Sequence, residues 1–147
     1  MFMLDQRLAK DSIAAARHGR CQVRLINDDR YVWVILVPEI EAVSELHELA
    51  EMDRMAVLML AGELGQGLKQ VTGAAKINIA SLGNIVSQFH LHIVARSPGD
   101  PAWPGPVWGT GPGKPMTVAT RRWRLAALRD LVRRLGGHNL DDTANDG

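Results

Sequence analysis

Residues 88–94, Gln-Phe-His-Leu-His-Ile-Val, alternate strictly between polar and apolar side chains. In an extended strand, successive side chains point to opposite faces, so Phe89, Leu91 and Ile93 share one face and Gln88, His90 and His92 the other. Such a segment fits only a sheet whose apolar face is covered. Its polar face is unusual. An ordinary half-buried strand would carry Thr, Ser, Lys or Glu there, whereas this one carries two imidazoles and an amide. These groups suit proton transfer, nucleophilic attack and hydrogen bonding to phosphate.

The remaining segments supply partners for that strand. Leu4, Leu8, Ser12, Ala15 and Ala16 trace one face of a helix over residues 4–17, with His18-Gly19 as its stop. Cys21–Ile26 alternates as a strand, Asn27-Asp28-Asp29-Arg30 is a turn, and the apolar run Tyr31–Val37 is a central strand ended by Pro38. From Val43 to Val71 the apolar spacing is helical, with Ser44 as N-cap, Glu45, Glu48 and Glu51 at the positive end of the dipole, and Gly73 beyond the end. Lys76–Ala80 is a further strand and residues 81–84 a turn. Residues 97–115 hold six of the seven prolines, five glycines, Trp103 and Trp108. A loop this long inside a compact domain is functional or disordered, and two large apolar rings argue against disorder. A terminal helix is expected over 117–135, with the last ten residues frayed.

This order predicts one α+β domain over residues 1–147, its core at 21–110. An antiparallel sheet of about five strands is packed by one long helix, with N- and C-terminal helices added. The 46% hydrophobic content over 147 residues suffices for a normal core. A formal net charge of +1 gives no strong polyanion-binding field, so nucleic acid is not expected as a partner. Cys21 stands alone, which excludes internal disulfides and cysteine-rich zinc sites. No apolar run approaches the ~18 residues of a membrane span, and a cytoplasmic setting is expected.

Three readings of the histidine pair follow from the residues. It can be a solvent-facing strand edge with incidental histidines. It can be half of a metal site, but a third ligand is needed; His18, His47 and His138 fall elsewhere, and Asp28, Asp29 or Asp100 would have to be brought in by the fold. It can also carry phosphoryl or nucleotidyl transfer. A neutral imidazole with a pKa of about 6.5 is nucleophilic near pH 7, and a second ring about 6.6 Å along the strand reaches the same phosphate. Elsewhere, Gly109–Lys114 lacks P-loop spacing and Pro115 follows its lysine. The arginines of the terminal helix form a solvated basic face or a nucleic-acid surface. Met52, Met55 and Met59 fill a core or an interface, and Trp103 and Trp108 stack on a base or pack the loop.

The segment Gln88–Arg96 resembles the signature of the histidine-triad (HIT) superfamily, His-φ-His-φ-His-φ-φ with φ apolar, with Gln88 at the first histidine. The resemblance covers roughly residues 21–110: the hairpin ending Val34-Ile35-Leu36-Val37-Pro38, the helix opening Ser44-Glu45-Leu46, the strand with Asn78 and the turn Gly83-Asn84. It implies a nucleotide-binding homodimer that acts on the α-phosphate of purine nucleoside phosphoramidates, dinucleoside polyphosphates or related conjugates, without metal or cofactor. By this resemblance His90 matches the nucleophile that becomes nucleotidylated, and His92 the histidine that contacts the phosphate and assists the leaving group. Asn27 falls where ribose is bound, and Asn78, Gly83 and Asn84 lie near ribose and phosphate; Trp103 joins them as a candidate for stacking on the base.

Two departures bear on rate. Gln88 can hydrogen-bond but cannot relay a proton. If the first histidine serves acid–base chemistry, Gln88→His should raise turnover. Trp33 stands five residues before Pro38, where many members carry a supporting histidine, and an indole donates one hydrogen bond but accepts none. A low-turnover nucleotide sensor is therefore the alternative within the family.

Overall fold

The structure is a computed structural model in which residues 1–142 are described. Its elements run α1 (Gln6–Asp11), β1 (Ser12–His18), β2 (Cys21–Ile26), β3 (Val32–Pro38), a 3-10 turn (Leu46–Glu48), α2 (Glu51–Thr72), β4 (Lys76–Ala80), β5 (Leu91–Arg96), α3 (Val118–Arg134) and β6 (His138–Asn139). The strands form one antiparallel sheet in the order β4-β5-β3-β2-β1-β6. This is the expected α+β architecture, with six strands.

The helix expected over residues 4–17 is only α1, and Ser12–His18 is a strand instead. Pairing outweighs the helix preference of the alanine run. His18 opposes Cys21 across a two-residue turn in which Gly19 has φ +56°, a conformation that glycine adopts freely. A bulge between Ala14 and Ala16 also breaks the period-two pattern that would have marked the strand. The glycine read as a helix stop is a hairpin turn.

The long helix also starts later than expected. Ser44 does not cap it; Ala50 is the N-cap, and Glu45 with Glu48 forms a capping box around the preceding 3-10 turn. Its other end is as expected, with Gly73 left-handed at φ +69°. Gly65 and Gly67 let it pack closely. A Cβ at Gly67 would lie 2.7 Å from the Leu131 side chain, and one at Gly65 3.2 Å from that of Ile77. The segment expected to be frayed begins with β6, paired with Arg17 and Ala16 of β1; its part beyond residue 142 lies outside the described residues.

Helices α2 and α3 cover one sheet face, where Val23, Leu25, Val34, Leu36, Leu91 and Ile93 pack against Leu60, Leu64, Leu68, Leu128 and Val132. The other face carries Arg24, Ile35, His92, Val94 and Arg96. It is covered by the N-terminal segment through Leu4 and Leu8 and by the proline-rich loop through Val107 and Trp108.

Candidate active site

His92 sits in mid-sheet, opposite Ile35 on β3 and Ala80 on β4. His90 lies one residue before β5, which starts at Leu91 rather than at Gln88 as the alternation suggests. The chain leaves the ladder because the Phe89 N–H donates to the Val43 carbonyl instead. The two rings still meet edge to face, with centroids 4.8 Å apart, and only 6% and 7% of the two residues is exposed.

Opposite hydrogen-bonding partners fix the two imidazoles. His90 Nδ1 is 2.7 Å from the Gln88 carbonyl oxygen. A carbonyl only accepts, so Nδ1 carries the proton and Nε2 keeps a free lone pair. Trp33 Nε1 donates to His92 Nδ1 at 2.9 Å. An indole N–H only donates, so His92 Nδ1 is unprotonated and the ring's proton is on Nε2. Burial, reinforced by the neighbouring His90, pushes the His92 pKa down to about 3. His90 thus presents an unprotonated Nε2 and His92 a neutral N–H donor.

An aromatic wall backs His92. The Trp108 ring stands 5.2 Å from His92 and 5.9 Å from Trp33, and Tyr31 is 6.3 Å from Trp33. The proline-rich loop that delivers Trp108 is ordered, and buried Arg96 holds it: its guanidinium donates to both Asp100 oxygens, to the Gly105 carbonyl and to Asn78 Oδ1. Sequence reasoning singled out neither Arg96 nor its partnership with Asp100. The available signal was an arginine closing an apolar strand with an aspartate four residues later.

Beside Gln88 an open cleft of about 370 Å³ is lined by Asp5, Ala42, Val43, Ser44, Ser87 and Gln88. Both ends of the Gln88 amide are engaged here. Its Oε1 accepts from the Asp5 N–H at 2.9 Å and its Nε2 donates to the Met3 carbonyl at 2.8 Å. The side chain thus pairs with main chain as a neighbouring strand would, and fastens residues 3–5 beside the histidines. Arg7 extends the attachment, donating to the Ile85 carbonyl and to Asp5.

The remaining candidates are scattered. Asn27 lies beyond the Leu25–Val34 pair, toward the sheet end opposite His90, and its Oδ1 accepts from the Met116 N–H. Asn78 shares the His92 face, two residues from Ala80, but its Oδ1 is taken by Arg96. Gly83 adopts φ +75° in the turn where Asn84 is exposed. Trp103 is 37% exposed, with the Arg96 guanidinium 5.7 Å from its ring centre. The fold therefore gathers Gln88, His90 and His92 and leaves Asn27 apart. Among the described residues, no group of three His, Cys, Asp or Glu side chains is placed to hold a metal ion.

Comparison with known proteins agrees with this fold. The HIT domain model matches residues 8–99. A histidine triad protein of Sinorhizobium meliloti 1021 is 45% identical with a TM-score of 0.85, over 88% of this chain and 96% of that one. A histidine triad protein of Marinobacter aquaeolei VT8 is 41% identical with a TM-score of 0.89, over 92% and 98%. One from Bradyrhizobium japonicum is 34% identical with a TM-score of 0.86, over 89% and 98%. No curated protein matches the chain.

Proposed function

For a chain that belongs to the histidine-triad family, we propose a nucleotide hydrolase or transferase acting on the α-phosphate of purine nucleoside phosphoramidates, dinucleoside polyphosphates or related conjugates. The observation that carries this reading is the free Nε2 of His90, left as a lone pair because Nδ1 is committed to the Gln88 carbonyl. Nε2 attacks the α-phosphorus, a P–N bond forms and the bond to the leaving group breaks. Water or another acceptor then cleaves the nucleotidyl-histidine. His92, held with its proton on Nε2 by Trp33, donates to a phosphoryl oxygen. With its pKa near 3 it is not cationic at neutral pH, so it steadies charge and the leaving group draws its proton from solvent in the cleft. Asn78, Gly83, Asn84 and Trp103 remain proposed contacts to the nucleotide, and Asn27 a weaker one given its place.

Incubation with adenosine phosphoramidate or diadenosine polyphosphate, followed by intact mass, tests the mechanism. The expected result is a protein carrying one added AMP that disappears in His90→Ala. Turnover without any adduct at short times would count against covalent catalysis. The lack of a cationic acid also favours a second reading, a low-turnover nucleotide sensor, for which the adduct would form and persist.

We also propose a homodimer, in a cytoplasmic setting. Strand β4 is a sheet edge, and its Ile79, with Met52, Met55 and Met59 on α2, is exposed. An unpaired edge next to an apolar helix face calls for cover. Sedimentation at micromolar concentration should give twice the chain mass, and charged substitution of Met55 and Met59 should give the monomer.

A further inference from the structure

We infer that the donor cluster around Arg24 is an oxyanion-binding site, occupied in this structure by the chain's own Asp142. Strands β1 and β2 pair Ala14 with Arg24 and Arg17 with Gln22, so these side chains share the face that α2 and α3 leave open. Arg24 is only 2% exposed. Its Nε donates to Ser12 Oγ at 2.8 Å, Nη1 to Gln22 Oε1 at 3.2 Å and Nη2 to the Ser12 carbonyl at 3.4 Å. All three acceptors are neutral. Among the described residues, the one carboxylate that reaches Arg24 is Asp142, whose Oδ1 lies 2.9 Å from Nη2 and whose side chain is 53% exposed.

A second donor converges on the same carboxylate. At the β1 bulge the Ala14 N–H donates to Asp142, 3.2 Å from Oδ2 and 3.4 Å from Oδ1. A guanidinium and a main-chain N–H gripping two oxygens is a cradle for carboxylate or phosphate generally. A further buried donor stands on the same face: Arg17 Nε has no partner among the described residues, its Nη2 being paired with Glu39. Glu39 is also taken by Gln22 Nε2. The patch thus holds two guanidinium groups against one resident carboxylate, and the second negative charge is brought in by the segment after β6. That segment is attached through a two-residue strand pairing, the Leu140 N–H to the Ala15 carbonyl, and Arg129 to the Leu140 carbonyl and Asp141.

A buried guanidinium without an anion is strongly disfavoured. When Asp142 withdraws, the buried charge favours a solution oxyanion in its place, with Arg24 Nη2 and the bulge N–H as its donors and Arg17 Nε a further unpartnered donor on the same sheet face. The site is distinct from the histidine pair. Arg24, Ile35 and His92 lie in one cross-strand row, so the two sites are about 10 Å apart along the sheet. Fully buried Ile35, packed under Leu8, separates them.

Thermal unfolding of the full chain and of Asp142→Ala, in phosphate, acetate or chloride at equal ionic strength, tests the inference. Phosphate at ten times its Kd should raise the Tm of Asp142→Ala by about 3–5 °C over chloride. The wild type should respond less because its own carboxylate competes, and Arg24→Gln added to Asp142→Ala should abolish the response. A response to phosphate alone assigns the site to phosphate-bearing ligands, and an equal response to acetate assigns it to carboxylates. No stabilisation by either anion over chloride would overturn the proposal. Should the variant fail to fold, amide NMR of the wild type decides. Phosphate should move the Ala14 and Asp142 resonances in one saturable step, and unmoved resonances would equally overturn it.

Discussion

The two faces of the sheet are built from the same strands by different physics. On the helix-covered face Val23, Leu25, Val34, Leu36 and Ile93 are fully buried and pack in an apolar cluster. On the opposite face Arg24, His90, His92 and Arg96 are nearly as buried, yet each is held by named polar partners. The first face tolerates any good packing and gains stability from area. The second is specified atom by atom, because an unpaired buried polar group is costly. The comparison therefore predicts that changes on the helix face alter stability and leave chemistry intact, while changes at the histidines alter chemistry first.

The largest expected effect is on the histidine face. His90→Ala should lower turnover by at least about 10⁴-fold, as for loss of a nucleophile, while nucleotide affinity stays within about tenfold. The Tm should change little. A variant with near wild-type turnover would break the mechanism. The counterpart on the helix face is Leu64→Ala, a fully buried residue of α2. It should cost about 2–5 kcal/mol in urea unfolding, with kcat of the remaining folded protein unchanged.

Acid sharpens the contrast, since the helix-face core, whose one thiol Cys21 is pushed up to about 12, has nothing to titrate at low pH. The folded His92 pKa of about 3 lies below the ordinary 6.5, so the unfolded chain takes up a proton that the folded ring refuses. Stability from this group is complete above about pH 6.5 and falls as pH drops toward 3, losing about 3 kcal/mol by pH 4. Asp100, whose carboxyl the Arg96 guanidinium holds below the usual range, adds a loss of the same sign only near and below its ordinary value. Trp33→Phe removes the indole donor and frees His92 Nδ1 to accept a proton. The slope between pH 6.5 and 4 should flatten, and kcat at neutral pH should fall about 10–100-fold with KM nearly unchanged. An unaltered slope would show that Trp33 does not set the protonation state of His92.

How much of this was legible beforehand follows the same division. Hydrophobic period reports area, so β2, β3, β4, α3 and most of α2 could be read from Cys21–Ile26, Tyr31–Val37 and the Leu60/Leu64/Leu68 stripe. It failed at β1, where a bulge at Ala14–Ala16 and helix-favouring alanines hid a strand that exists because β2 pairs with it. The histidine pair was legible because alternation places both rings on one face. Its partners were not. Period and composition say nothing of Trp33 Nε1 meeting His92 Nδ1, of Arg96 holding the loop through Asp100, or of Asp5 coming within reach of Gln88 across 83 positions.

Gln88 is where the smallest effect is expected and where the comparison is most informative. The sequence suggested a residue that limits catalysis for want of a proton, so that restoring histidine would raise turnover. In the fold its amide spans two main-chain groups, the Met3 carbonyl and the Asp5 N–H, which need a donor and an acceptor on adjacent atoms of one planar group. A neutral imidazole also has one donor and one acceptor, but they sit on opposite edges of a ring and cannot meet both partners. Gln88→His should therefore release residues 3–5 from the cleft wall that Asp5 and Gln88 share. KM should rise a few-fold and kcat should stay within about twofold. Gln88→Ala should give the same pattern, and Arg7→Gln, which loosens the same segment at Ile85 and Asp5, should add little to either. The opposite split, a kcat for Gln88→His raised by the ~10²-fold or more typical of a general acid–base group at constant KM, would show that the position limits the chemistry and that holding the N-terminal segment is incidental.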